Sequence, residues 1–407
     1  MSDFELNKYD LYSHDFKKRP YETYAKLRHE NPVRLHKGMQ IPIWFVTGYE
    51  EAKQVLADHK TFVKRYENAL TAAEKEQLEP TPDMFKMVRD HLLAQDPPDH
   101  TRLRTLVSKA FTMKRVNALR PRIQAIADEL LDKVQEQGKM DLIDDYAFPL
   151  PVTVIAELLG VPVADQDKFR EWSNALTGTP QNAAENEAYG QHMLAFVAYI
   201  GQLFEKRRNN PQDDMITALL QAEEEGDHLS QEELFSMVLI LLVAGHETTV
   251  NLIGNGMLAL LNHPDQMRLL QEKPELMETA VSEMLRYDGP VERATTRWAA
   301  KDTIFNGQQI KRKDPVIVVL AGANHDPAEF NNPTLFDITR DSQQSLAFGY
   351  GIHYCVGAPL AKIEGEIAVQ TLLQRMPTLR LAQPEAELQW RLSTIIRGLK
   401  HMPVCWD

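Results

Sequence analysis

The stretch from Ser345 to Val369 reads SLAFGYGIHYCVGAPLAKIEGEIAV and holds Cys355, one of two cysteines in 407 residues. Gly349 and Gly351 precede it, Gly357 follows it, and a helical pattern begins directly after. Three chemistries are open to a thiol so placed. It can be a buried structural cysteine, the default for a lone Cys. It can be a nucleophile, because a helix N-terminus favours the thiolate. Or it can ligate a metal or a haem iron, which also takes the thiolate. Zinc is set aside, since no second Cys or His recurs at ligand spacing nearby. His353 is two residues away, a poor arrangement for a base beside its nucleophile, and no oxyanion partner is evident. Cys405 has none of these neighbours and reads as inert.

Three other groups of residues carry potential chemistry. AGHETT, Ala244 to Thr249, sets a glycine, a carboxylate and two hydroxyls inside an apolar helical run. Such hydroxyls can bond back to the preceding turn, and Glu247 can find an ion pair. An acid–alcohol pair deep in a core is nonetheless costly unless it is used. SEMLR places Glu283 and Arg286 at i,i+3, a spacing that usually decorates a solvated face and contributes about 0.2–0.5 kcal/mol. DPPDHTRLR offers Asp96 as an N-cap and Pro97 at the first helical position. That start puts His100 and Arg104 four apart on one face, an arrangement more often found at a surface.

The elements that must position these residues are mostly helical. YETYAKLRHENP predicts a short amphipathic helix ended by Pro32, IPIWFVTG a strand, and YEEAKQVLADH another helix. Residues 66–95, polar with Pro80 and Pro82, predict a long loop with one or two helical turns. The longest helix starts at SQEE, where Ser230 and Glu233 have capping-box spacing, and runs to His263-Pro264. At the standard rise it spans about 48 Å, and being apolar on nearly every face it should cross the core. DTIFNGQQIKRKDPVIVVLAGAN predicts a hairpin at Asn306-Gly307, then a buried strand.

With 43% apolar and 25% charged residues, the composition is that of an ordinary globular protein. A net charge of −13 argues against nucleic acid as the main partner. The two cysteines fit a reducing compartment. The start, MSDFELNKYDLYSHDFKKRP, lacks an apolar signal region, and the longest apolar run, Met237 to Ala244, is short for a membrane span. The expectation is one domain over 1–407, cytoplasmic, monomeric and without a membrane anchor.

Phe348, Gly349, Gly351, His353, Cys355 and Gly357 together fill F-G-x-G-x-H-x-C-x-G. This loop resembles the haem-binding signature of cytochrome P450 monooxygenases, and the other groups follow in that family's order. The resemblance implies a mainly α fold with small β-sheets, a large helical domain plus a small β-rich region. Haem b would lie between the long central helix and the cysteine-loop helix, with Cys355 as iron ligand. AGHETT is similar to the oxygen-activation motif, so Glu247 and Thr248 would deliver protons, with Ala244 and Gly245 leaving room for dioxygen. Glu283 and Arg286 would be a buried structural pair. The family's usual third partner, an arginine before a phenylalanine, is replaced by Leu335 in NPTLF, and Arg340 is the candidate substitute. His100, Arg104, Arg297 and His353 would hold the haem propionates, for which Arg suits a carboxylate by forked hydrogen bonds.

The implied reaction inserts one oxygen atom from O2 into a C–H bond of a hydrophobic small molecule. The resemblance lies towards soluble bacterial members that oxidise polyketides, macrolides and fatty-acid-like chains. Leu70, Met84, Leu92, Leu93, Leu239, Val243, Val291, Glu292 and Ile395 are the expected pocket wall, with Glu292 also able to pair with Arg293. At this length no reductase is fused, so electrons are expected from a separate ferredoxin with its reductase or a flavodoxin. That partner would dock near Arg102, Lys109 and Lys362. The alternatives are a peroxide-driven peroxygenase or a haem-binding module without turnover.

Overall fold

The computed structural model describes residues 9–37, 41–79, 90–177, 183–224 and 226–407. Its longest element is the central helix, Gln231–Asn262. The Ser230 hydroxyl accepts from the Glu233 N–H, and the Glu233 carboxylate accepts from the Ser230 N–H, the expected capping box. Pro264 then opens a new helix, Pro264–Glu272. By length and apolarity the central helix could cross a membrane, but 61% of its most apolar 18-residue window is buried inside the protein. It packs against Pro149–Leu159, Met277–Asp288 and Ala358–Arg375. The last of these, the cysteine-loop helix, buries Leu360, Ile363 and Ile367, the face its spacing predicts.

The largest sheet orders its strands Val33–Lys37, Pro42–Val46, Pro315–Val318, Arg297–Ala299 and Phe62–Val63. A separate hairpin joins Thr303–Phe305 to Gln308–Ile310 through Asn306 and Gly307, at φ 45° and 73° as a tight primed turn demands. One register bears directly on the site. Phe62 pairs with Ala299 and Val63 with Trp298, which carries Lys64 to the residues just before Arg297. The fold is mainly α with small sheets, as expected.

The expected start at Pro97 is displaced. The helix runs Asp99–Ala110 with Pro98 at its N-cap. Asp96 is already engaged elsewhere, accepting from the backbone N–H of Lys64 (2.8 Å) and Arg65 (3.0 Å) and from Asn68 Nδ2 (2.8 Å). His100 and Arg104 remain four apart on that helix.

Glu283 and Arg286 are buried and form two parallel hydrogen bonds of 2.7 Å. Arg286 also donates to the carbonyls of Asn324, Pro333 and Leu335. Arg340 Nε reaches Glu283 Oε1 at 3.3 Å, so it does take the third place. The Ser342 hydroxyl at 2.7 Å and the Asp337 N–H at 3.2 Å complete the carboxylate's shell. Asn324 in turn accepts from the Leu346 N–H, two residues before the signature begins. Removing one member leaves the other charge buried and unpaired. Arg286→Leu should therefore cost about 3–5 kcal/mol, whereas Arg340→Met, at the edge of the network, should cost about 1–2 kcal/mol. Urea unfolding of both variants checks the order; equal losses would contradict it.

Candidate functional site

The signature segment makes one short turn, Gly351–His353, then enters the cysteine-loop helix at Gly357. The Cys355 N–H donates to the Phe348 carbonyl at 3.0 Å, closing the loop on itself, with Phe348 packed against the main core. Gly349 and Gly351 sit at φ +75° and +74°. A Cβ on Gly351 would also lie 2.8 Å from the Leu56 carbonyl oxygen. That glycine is therefore required by its approach to the helix Tyr49–Ala57, in addition to any cofactor.

The Cys355 thiol is pushed up by burial, while the N–H groups of Gly357 and Ala358 and the Arg104 guanidinium pull it down. Arg104 Nη1 donates to the Tyr354 carbonyl at 2.7 Å, so it braces the cysteine loop from the neighbouring helix. Around these lies a cluster of basic side chains. His100 is buried, its ring centroid 4.3 Å from that of His353. Both ring nitrogens of His100, and Nε2 of His353, are buried without a hydrogen-bond partner among the described residues. Arg297 is buried, and burial lowers its guanidinium to about 10. Burial first, then the surrounding cations, lower His353 to about 2. Four predicted residues from three separate elements are thus brought together.

The central helix opens in its middle. Residues 249–260 are all buried, but between 240 and 248 only Leu242 and His246 are. Ala244 is exposed, and Thr248 keeps accessible surface while donating to the Ala244 carbonyl at 2.8 Å. Glu247 makes no ion pair or side-chain hydrogen bond among the described residues. Its carboxyl is raised by burial, with Arg391 opposing. Gly245 serves packing as well: a Cβ there would lie 3.3 Å from Ile155 Cδ1.

A thiol with two amide donors aimed at it, buried donors lacking acceptors and an accessible acid–alcohol turn fit an iron porphyrin with its two carboxylates. A sequence profile described as Cytochrome P450 matches residues 9–159 and 186–396. The chain belongs to the cytochrome P450 family. It is 45% identical to the cytochrome P450 monooxygenase PikC of Streptomyces venezuelae, over 96% of this chain and 92% of that one. Among solved structures it is similar to PksS, the cytochrome P450 of the Bacillus subtilis bacillaene polyketide synthase. The TM-score is 0.90 at 39% identity, covering 97% and 98% of the two chains. It is also similar to the myxobacterial P450 CYP267B1 in complex with myristic acid, TM-score 0.89 at 41% identity, covering 98% of each. Members of this family are monooxygenases that use haem b with O2 as co-substrate.

Some expected P450 site residues lie elsewhere than the pocket wall. Glu292 is wholly buried in ion pairs with Lys17 (2.5 Å) and Arg293 (3.3 Å) and accepts from the Tyr24 hydroxyl. It is a structural charge, because two cations from the N-terminal region and its own neighbour surround it. Leu92 and Leu239 are buried in the main core, while Leu93, Val243 and Val291 are partly buried and Ile395 is exposed. Val291 bridges to Ile396, and the Ile395 carbonyl accepts from the Glu292 N–H at 2.8 Å. Arg102 is paired with Asp227 and Glu233 and keeps part of its surface accessible. Met84 lies outside the described residues.

Among the polar residues that the sequence did not single out are the partly buried Lys64 and His91 and the buried Glu364. Glu364 lies on the cysteine-loop helix, hydrogen-bonded to the Thr249 hydroxyl, with Oε2 unpartnered among the described residues. Burial lifts its carboxyl to about 8, against the small opposing pull of Thr249. A free Glu ionises near pH 4.3. Between about pH 4.5 and 8 the unfolded chain has lost a proton that the folded chain keeps, so this group lowers stability as pH rises through that window. Glu364→Gln removes the effect. The variant's stability relative to the parent should grow by on the order of 2 kcal/mol between pH 5 and 8 in urea unfolding. An equal gap at both pH values refutes it.

Proposed function

We propose that this P450, one domain over residues 1–407, hydroxylates a hydrophobic chain or macrocycle bearing a few oxygens. The supporting observation is that the buried Cys355 thiol and the basic cluster share the fold with an accessible acid–alcohol turn on the central helix. Haem held by a cysteine thiolate supplies dioxygen activation and delivery of one oxygen atom to a C–H bond. Cys355 would hold the iron, with the Gly357 and Ala358 N–H groups stabilising negative charge on its sulfur. His100, Arg104, Arg297 and His353 would bind the propionates.

Glu247 and Thr248 would handle protons. Burial raises the Glu247 carboxyl above the usual range of a surface glutamate, with Arg391 opposing, which favours its holding a proton for transfer. The Thr248 hydroxyl, whose hydrogen goes to the Ala244 carbonyl, presents oxygen lone pairs towards the accessible side of the turn. Leu93, Val243 and Val291 present apolar surface that excludes water and suits an apolar substrate. The name of PksS and the myristic acid bound to CYP267B1 link two similar proteins to polyketide and fatty-acid chemistry, which supports this substrate class. Electrons would come from a separate ferredoxin with its reductase or a flavodoxin, and the protein would act as a cytoplasmic monomer.

The first test is the absorption spectrum of the dithionite-reduced protein under carbon monoxide. A strongly red-shifted Soret band in the parent, absent in Cys355→Ala, is expected; an unshifted band would refute thiolate ligation. Thr248→Ala should retain the band but lower product formed per NADPH consumed by at least about tenfold, peroxide taking the difference. Full coupling in that variant would remove Thr248 from proton delivery, and full turnover on hydrogen peroxide alone would favour the peroxygenase reading.

A further inference from the structure

The basic cluster extends past the motif residues. Lys64 and His91 belong to no recognisable pattern, yet both are drawn into it. The register of Phe62–Val63 against Trp298–Ala299 sets the Lys64 side chain against the segment leading into Arg297. Its amine is buried and donates to the Thr295 carbonyl (3.2 Å), the Thr295 hydroxyl and the Thr296 carbonyl (3.1 Å). Among the described residues it makes no ion pair. Asp96, the one carboxylate acting on it, already has its oxygens occupied by the N–H groups of Lys64 and Arg65 and the amide of Asn68. His91 lies within the field of Lys64, and its Nδ1 is buried with no partner among the described residues. Lys64 and Arg297 also act on His353.

A buried amine without a carboxylate partner either gives up its proton or finds an anion. The motif residues alone would meet two carboxylates, but they leave Lys64 uncompensated and one buried nitrogen of His91 idle.

We propose that Lys64 and His91 complete the anion-binding end of the haem site, His91 by a direct hydrogen bond to a propionate and Lys64 as a positioning counter-charge. The assignment rests on haem being the group that this site holds. Lys64 has used its hydrogens on the residue 295–296 carbonyls and hydroxyl, so it works through charge and through fixing the entry to Arg297. His91 retains the hydrogen-bonding capacity.

The test uses haem-loaded protein and follows haem transfer to excess apomyoglobin, with the ferric/ferrous midpoint potential measured in parallel. His91→Leu and Lys64→Met should each release haem about tenfold faster than the parent, the loss of one charge-assisted contact. Lys64→Met should also shift the potential negative, because a buried cation favours the reduced iron, and Lys64→Arg should restore both readouts. Parent-like release and potential in the variants would overturn the proposal. So would a Lys64→Met protein that is only less stable to urea, which would make the lysine a strut. If Lys64→Met does not fold, the His91→Leu release rate decides alone. A parent protein that binds no haem would instead overturn the reading on which this assignment stands.

Discussion

Buried charge must find a partner or give up its charge, and among the described residues several large buried cations follow the first course. Lys17 and Arg293 meet Glu292, Arg286 meets Glu283 and Arg397 meets Asp288. Each of these pairs stitches distant segments together. At the expected haem end the pattern differs: Lys64, His100 and Arg297 share the one carboxylate of Asp96, which backbone and amide donors already hold, and Arg104 and His353 lie close by. The two propionates of a porphyrin would supply such charge, and the thiol of Cys355 would hold its iron.

Holding that thiol still is a separate problem, because a loop has no ladder of its own. Three supports converge on it. Gly351 lies against the Leu56 carbonyl, too close for any side chain, and so docks the loop on the small sheet's helix. Arg104 reaches the Tyr354 carbonyl from the helix that also carries His100. Glu283 and Arg286, through Asn324 and the 333–342 segment, fix the approach at Leu346. The ion pair is thus remote from chemistry yet governs where the sulfur sits. Its full burial explains why a motif that is trivial on a helix surface is costly to break here.

Local signals were legible in the sequence, and long-range pairings were not. The capping box of the central helix, the Asn306-Gly307 hairpin and the apolar face of the cysteine-loop helix each depend on neighbours within four residues, and each formed as read. The signature glycines were legible as a motif, although the steric reason for Gly351 needed the Leu56 backbone beside it. Asp96 shows the limit. Its type and position fit an N-cap, but a strand pairing 32 residues away claimed its carboxylate, and the helix began later. Glu292 was legible in part: its expected pairing with the adjacent Arg293 is present, but Lys17, 275 residues away, lies beyond any spacing rule. Lys64 was invisible for the converse reason, since only the pairing of Val63 with Trp298 brings it into the site.

The central helix shows how one element can be core and active surface at once. Its C-terminal half is buried at every residue from 249 to 260, while the turn just before has accessible surface. Thr248 and Thr249 fall on either side of that boundary. Both hydroxyls donate back one turn, to the Ala244 and Gly245 carbonyls, but Thr248 keeps accessible surface whereas Thr249 is buried and lies against Glu364 on the cysteine-loop helix. Two identical side chains, adjacent in sequence, therefore do different work because successive helical residues point about 100° apart. Thr249 lies where the helix carrying Glu247 and Thr248 meets the helix that follows the cysteine. The distance between the two halves of the chemistry is then set by packing, and Thr248 is left free to act.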